Sequence, residues 1–251
     1  MIKMQRGFKS KLDAGGIDAG QPLQVMIQIN GNSQYDFSCF ALGENEKVLD
    51  GRYVVFFNQT GSPNGEISLV KNGDHDATFD VNLALLPPKT IRLCFSVTVD
   101  GSGLMREISA CTVQLMQNGQ TAFQFDINGS DFQSQKAIIT VEIYNKNGWR
   151  VAAVANGFSF SGGLSELMAY YGVNVSENKN NISPRPSVPH LNQMTDNQRT
   201  SEPPPPPVRC SVQEAAQPQF SANDRAQAAV NNGPASGKNA EGFDRNDDDW
   251  V

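Results

Sequence analysis

The sequence lacks long apolar runs and has little histidine, and its four cysteines form no C-x-x-C pair. A membrane-spanning helix needs about 20 consecutive apolar residues. The basic N-terminus is followed by neither an apolar segment nor a small-residue cleavage site, so we expect a cytoplasmic protein without an integral membrane segment. Cys39, Cys94 and Cys111 fall in strand-like segments and are expected to be small apolar core residues, whereas Cys210 is expected to be exposed.

Motifs for catalysis and nucleotide binding are also missing. The two histidines, His75 and His190, have no candidate nucleophile beside them, and neither a P-loop nor a Rossmann glycine pattern is present. The carboxylates are dispersed among turns rather than paired for acid–base work. We therefore expect no enzyme activity. The net charge of −6 favours neither nucleic acid nor an anionic membrane as a partner.

What the sequence does contain, in residues 1–175, is a series of short segments in which apolar and polar residues alternate. Residues 23–29 and 91–99 are the clearest examples. Alternation with a period of two is typical of strands with one buried face. The other predicted strands are residues 35–42, 53–57, 67–70, 79–83, 112–116, 123–125, 138–144 and 149–154. Asn-Gly and Asp-Gly turns between them indicate an all-β domain, either a sandwich or a barrel.

One helix is predicted near the end of this region. Leu164, Leu167, Met168 and Tyr171 recur with helical spacing, and Gly172 suits the position after a helix. We expect this short C-terminal helix to cover one end of the sheets.

The remaining residues, 176–251, are called the tail here. The tail is rich in Pro, Asn and Gln, contains five consecutive prolines at 203–207 and ends in an acidic stretch at 247–251. Such a composition buries too little apolar surface to fold, so we expect the tail to be disordered. The proline run predicts either a ligand for a peptide-recognition domain or a stiff spacer.

Several segments match the pattern of one protein family, in the same order along the chain. They are Gln5-Arg6-Gly7, residues 35–42 (YDFSCFAL), residues 54–59 (VVFFNQ), residues 81–83 with Leu86-Pro87, residues 91–98, and Gly148-Trp149 followed by Gly157, Gly162-Gly163-Leu164 and Tyr171-Gly172. This ordered set resembles the TerD domain of tellurium-resistance and bacterial stress proteins, in a divergent, TerA-like branch. The resemblance implies a two-sheet β-sandwich, calcium binding and a role without catalysis.

The calcium site of the family depends on two acidic residues two positions apart on one strand, together with a long acidic loop. Residues i and i+2 of a strand share a face, and calcium requires six to eight oxygen ligands. Here Asp36 fills the first strand position, but Ser38 fills the second, and the matching loop is short. The resemblance therefore implies a weakened calcium site whose candidate ligands are Asp36, Asn72, Asp74 and Asp76.

Two functions remain open from the sequence. The first is a non-enzymatic stress-response binding protein whose partners are other proteins of a tellurite-resistance operon. The alternative is a metal-free structural scaffold that recruits partners through its proline-rich tail.

Overall fold

The alternating segments form strands of two packed sheets. In the computed structural model, which describes residues 1–159 and 163–173, twelve strands make two six-stranded sheets, and one helix lies against the second. The predicted all-β fold with a two-sheet sandwich and one short C-terminal helix is therefore confirmed. The tail, and with it the predicted disorder of residues 176–251, lies outside the described residues. No helix in the described part of the chain is long and apolar enough to cross a membrane.

The first sheet takes all of its strands from residues 2–127 and is mostly antiparallel. Its strands, in spatial order, are β1 (Ile2–Met4), β10 (Gln120–Ile127), β9 (Ala110–Gln117), β3 (Leu23–Asn30), β7 (Asp76–Val81) and β6 (Ile67–Asn72). Only the pair of β1 and β10 is parallel among these strands.

The second sheet is antiparallel throughout its described strands. Their spatial order is β2 (Lys9–Lys11), β12 (Trp149–Phe158), β11 (Ala137–Asn145), β8 (Arg92–Asp100), β4 (Gln34–Leu42) and β5 (Val54–Val55). The chain thus contributes β1 to one sheet and β2 to the other within its first eleven residues.

The main hydrophobic core fills the space between the two sheets. Alternate residues of each strand point inward, as the period-two pattern predicts. Phe79 of the first sheet meets Phe95 of the second edge-on, with ring centroids 5.5 Å apart. Cys39 and Cys111 are buried free thiols of this core, which confirms their role as apolar core residues.

A second apolar cluster covers part of the outer face of the second sheet. Helix α1 (Leu164–Tyr170) places Leu167 and Met168 on this face, and the Tyr171 ring lies 4.9 Å from the Phe40 ring. Gly172 follows the helix with φ +82°, a conformation that costs glycine little. The helix was expected to cover an end of the sheets, but it packs on a face, because Phe40 and Leu42 of β4 point outward there.

Two further differences from the sequence prediction are local. Residues 53–57 were expected to form one strand, but the chain forms a 3-10 turn at Gly51–Tyr53, then the two-residue β5 and a tight turn closed by a bridge between Phe56 and Gln59. The short strands β1 and β2 were not predicted at all.

Candidate functional site

The four predicted calcium ligands lie on different sheets. Asp36 belongs to β4 of the second sheet, points to its outer face opposite Thr98, and is only 8% exposed. Asn72, Asp74 and Asp76 belong to the β6–β7 hairpin of the first sheet. The structure therefore groups three of the predicted ligands in one hairpin and places the fourth on another layer.

Side chains and backbone within the hairpin already satisfy much of its charge. Asp76 forms an ion pair with Lys71, and its carbonyl accepts a 2.7 Å hydrogen bond from the Gly73 N–H. His75 lies with its Nε2 2.9 Å from the Gly31 carbonyl oxygen, which ties the hairpin to the β3–β4 turn. Across the described part of the chain, no three His, Cys, Asp or Glu side chains gather closely enough to hold a metal ion. These residues alone do not fit a calcium ion.

The second acidic position of the family pattern is filled by a hydroxyl. Ser38 Oγ lies 2.6 Å from Ser96 Oγ on the neighbouring strand, and both side chains are fully buried. A neutral hydroxyl pair satisfies itself across the strands and supplies no negative charge to offset the dehydration of a cation.

The buried thiols are poor nucleophiles in this setting. Burial raises the pKa of Cys39 well above its usual value and that of Cys111 to about 12. The pKa of Cys94 is also raised, first by burial and then by the nearby Glu142 carboxylate. Because the thiolate is the reactive form, these three cysteines act as packing residues.

Basic side chains form a row across the outer face of the second sheet. Lys11 of β2 lies opposite Arg150 of β12, Arg150 lies opposite Tyr144 of β11, and Tyr144 lies opposite Arg92 of β8. Directly opposed residues on adjacent strands point to the same face. The strand register therefore aligns three cations and one aromatic ring over four strands.

This row forms the floor of a groove of about 920 Å³. We define the basic groove by its five cationic side chains, Lys9, Lys11, Arg92, Lys146 and Arg150. Glu142 is the one carboxylate among the described residues that line it. The domain carries an excess of acidic residues, 16 Asp and Glu against 13 Lys and Arg in residues 1–175, so the groove concentrates positive charge against the average of the domain.

Glu142 lines the groove and forms an ion pair with Arg92. Its carboxylate lies 3.2 Å from the Arg92 guanidinium, and its side chain is 18% exposed. Burial raises the pKa of Glu142, and the charge of Arg92 opposes that shift. The Arg92 guanidinium also lies 5.9 Å from the centre of the Tyr144 ring, so an ion pair and a cation–π contact hold it in place.

The sequence analysis missed this groove. Its residues come from β2, β8, β11, β12 and the turn between β11 and β12, and no single sequence motif joins them. Lys9, Lys11 and Arg150 each occupy an outward position of a strand. Only the pairing of β2 with β12, which the sequence does not reveal, brings them together.

Comparison with known proteins identifies the family of this domain. The protein-family model described as "TerD domain" matches residues 1–171 of this chain. The chain belongs to the TerD domain family. The predicted resemblance is therefore confirmed, and the TerD domain spans nearly all of the described residues.

Curated relatives of this TerD domain are named for resistance to toxic agents. Tellurium resistance protein TerA of Alcaligenes sp is 33% identical over 135 residues, which are 52% of this chain and 38% of that protein. Chemical-damaging agent resistance protein B of Clostridium acetobutylicum is 31% identical over 134 residues, 48% of this chain and 94% of that protein. Tellurium resistance protein TerD of Serratia marcescens is 28% identical over 156 residues, 56% of this chain and 79% of that protein. The chain therefore spans well under half of the length of the TerA relative.

A solved structure also aligns with the chain. A homologue of telluride resistance protein (TerD) from Streptomyces coelicolor A3(2) has a TM-score of 0.46 and 15% identity, and the alignment covers 56% of this chain and 91% of that one.

Proposed function

We propose that the chain is a non-catalytic binding protein that acts in the cytoplasm in resistance to tellurium compounds or chemical damage, and that it binds an acidic protein partner in the basic groove. The observation that carries the proposal is the alignment of Lys11, Arg150 and Arg92 across adjacent strands of an otherwise acidic domain. The names of the TerA, TerD and chemical-damage relatives supply the biological context.

The groove has the physical properties of a protein docking site. Cations gathered on one face focus the electrostatic potential and accelerate the approach of an acidic partner. The Tyr144 ring provides an apolar contact at the centre of the row, and aromatic and Arg side chains dominate the energy of many interfaces. A partner encoded in the same resistance operon is part of this proposal.

Calcium has only a secondary place in the proposed function. The separation of Asp36 from the β6–β7 hairpin, the ion pair of Asp76 with Lys71, and the neutral Ser38 all support a weakened or lost site. In this proposal, partner binding does not depend on a bound cation.

Co-purification with the full-length chain from its native host tests the proposal. The double variant K11E/R150E reverses two charges of the groove, and K3E/R106E makes the same charge change at exposed positions outside it. We expect the groove variant to lose partners that the wild-type chain and the control variant retain, with or without a chelator. Retention of every partner by K11E/R150E would contradict the proposal.

A third variant addresses the scaffold alternative. Replacing the five prolines at 203–207 by serine leaves the groove intact. Loss of partners in this variant, and not in K11E/R150E, would favour recruitment by the tail.

A further inference from the structure

Strand β2 is the outermost strand of the second sheet, and its lysines form one side of the basic groove. Among the described strands it pairs with β12 alone, so one of its two edges has no neighbouring strand. An open edge presents backbone N–H and C=O groups that can pair with a further strand. We propose that the acidic partner adds an extended strand along this open edge of β2, an inference that rests on the proposed function of the groove.

The backbone groups of Lys9 and Lys11 are the ones that face the open edge. The Leu12 N–H donates a 3.0 Å hydrogen bond to the Trp149 carbonyl oxygen, and the Phe8 carbonyl oxygen accepts one of 3.0 Å from the strand β12. Opposed residues of an antiparallel pair alternate between hydrogen-bonded and non-hydrogen-bonded pairs. The even-numbered residues of this segment therefore turn their backbone groups toward β12, and the two lysines turn theirs away from it.

The same two lysines also point their side chains into the groove. Both are exposed and line it, whereas Ser10 lies between them, opposite the buried Val151 on the core side of the sheet. The Lys11 carbonyl oxygen accepts a 3.1 Å hydrogen bond from Ser10 Oγ and has a second lone pair for the N–H of a partner. An added strand would thus meet both a hydrogen-bonding edge and two cations.

The spacing of Lys9 and Lys11 specifies the sequence of the added strand. Side chains at positions i and i+2 of a strand share a face and lie about 6.8 Å apart. A segment with carboxylates at alternate positions places one beside each lysine, and cross-strand pairs of opposite charge stabilise a sheet. The residue between these carboxylates lies beside Ser10, where a β-branched side chain such as Val or Thr suits the strand. The partner segment is therefore acidic at every second position and β-branched between.

Charge disfavours a second copy of this domain as the occupant. Two β2 strands side by side would bring lysine against lysine, and like charges directly opposite each other destabilise a pair. The other edge strands of the described part of the chain are β1, β5 and β6; none of them contains a carboxylate, and two of them add Lys3 and Lys71. The edge is thus suited to an acidic strand from a different protein.

Synthetic peptides added to the ¹⁵N-labelled full-length protein test the inference. The peptide acetyl-TEVEVET-amide has alternating carboxylates, and acetyl-EEETVVT-amide has the same composition without alternation. A third peptide repeats the first with N-methylglutamate at each glutamate, which keeps the charge and removes the N–H groups that would face β2. We expect the first peptide to bind with a Kd of about 1 mM and the other two to bind at least about tenfold more weakly, because main-chain hydrogen bonds supply the affinity.

The backbone amides of β2 report where the peptide binds. With acetyl-TEVEVET-amide we expect the NMR signals of the Lys9 and Lys11 amides to shift and their hydrogen exchange to slow. The Ser10 amide faces β12 already and should exchange at an unchanged rate. Unchanged exchange at both lysines, or equal affinity for the N-methylated peptide, would overturn the inference.

Charge reversal provides a test that also reports on folding. The variant K9E/K11E should lose the acidic peptide and bind acetyl-TKVKVKT-amide instead, which a misfolded domain would not do. K3E/R106E changes the charge equally at exposed positions outside the groove and should keep the preference of the wild type. An unchanged preference in K9E/K11E would contradict the proposed pairing.

Failure of this inference differs from failure of the proposed function. If partners depend on Lys11 and Arg150 while the β2 amides gain no protection from the alternating peptide, the groove binds its partner through side chains and the added strand is wrong. If K11E/R150E and K9E/K11E both retain every partner, the proposed function is wrong as well.

Discussion

The Ser38 hydroxyl lies 2.6 Å from the Ser96 hydroxyl at a buried point where β4 pairs with β8. The two side chains form a neutral contact at the position where the family pattern has its second strand carboxylate. Asp36 is thereby left as the only acidic residue of the described β4 strand. The result is a TerD domain whose strand carries half of the charge that the calcium pattern requires.

A calcium titration tests this consequence. By isothermal titration calorimetry we expect no saturable binding tighter than about 10⁻⁴ M, the weak end of the range for calcium sites, since too few carboxylates converge. Asp36→Asn should give the same titration as the wild type. Submicromolar binding that disappears in Asp36→Asn would contradict the prediction.

Glu66 is expected to stabilise the loop that precedes β6. Its buried carboxylate accepts hydrogen bonds from the Ser62 hydroxyl at 2.6 Å, the Tyr53 hydroxyl at 2.9 Å and the Asn64 backbone N–H at 3.0 Å. Glu66→Gln presents an N–H₂ group to these donors, so we expect the free energy of unfolding to fall by about 1–3 kcal/mol in urea denaturation. Glu44→Gln, at an exposed position, is the control and should change it little.

The effect of Glu66 should depend on pH. Burial disfavours its charge, but the hydrogen bonds from Ser62 and Asn64 outweigh burial and lower the pKa of Glu66 from 4.5 to about 2. A carboxyl whose pKa is depressed on folding stabilises the protein above its unfolded pKa, and this stabilisation is lost as the pH falls. The difference in stability between wild type and Glu66→Gln should therefore shrink between pH 4.5 and pH 2. A difference that grows over that interval would refute the assignment.

Helix α1 should contribute strongly to stability through one leucine. Leu167 is fully buried against the outer face of the second sheet, whereas Leu85 is 58% exposed. We expect Leu167→Ala to lower the free energy of unfolding by about 2–5 kcal/mol and Leu85→Ala to lower it by less than about 1 kcal/mol. Equal effects in chemical denaturation would show that the helix does not pack as described.

Gly129 should not tolerate a side chain. A Cβ at this position would lie 2.1 Å from the Ile108 carbonyl oxygen and 2.8 Å from that of Arg106, and backbone atoms cannot rotate away. We expect Gly129→Ala to cost about 1–3 kcal/mol in the free energy of unfolding. Gly61→Ala, whose Cβ would meet no atom closer than 3.9 Å, is the matched control; an unchanged melting temperature in Gly129→Ala would be inconsistent with this packing.

The core thiols should not react with thiol reagents in the folded protein. In a Cys210→Ser background the remaining cysteines are Cys39, Cys94 and Cys111, all buried with raised pKa values. With Ellman's reagent at pH 8 we expect almost no increase in absorbance until denaturant is added. Rapid reaction of one thiol in the native state would contradict the burial of these cysteines.

The sequence predicted the strands with a strong period of two and missed those without one. Residues 91–99 alternate cleanly and form β8 at almost the expected positions. β2 contains only Lys9, Ser10 and Lys11, and its charges belong to a sheet edge that faces water, so no hydrophobic pattern marks it. A three-residue strand is defined by its partner, which lies about 140 residues away.

Prediction of the candidate site from the sequence was limited in the same way, to residues that stand in a local pattern. The family resemblance led to Asp36 and to the β6–β7 hairpin, because those residues stand in a motif. The basic groove depends instead on Arg150, Tyr144 and Arg92 being opposite one another, and this depends on strand register. Register follows from how all strands pack together and is not encoded in any short segment.

The first eleven residues cover an open edge of both sheets, β1 along β10 and β2 along β12. Shortening the chain at this end would uncover two rows of unpaired backbone amides and carbonyls at once, which are ready templates for the strands of other molecules. Recombinant forms that lack these N-terminal residues should consequently oligomerise or precipitate. Affinity tags for this protein should therefore be placed at its C-terminus.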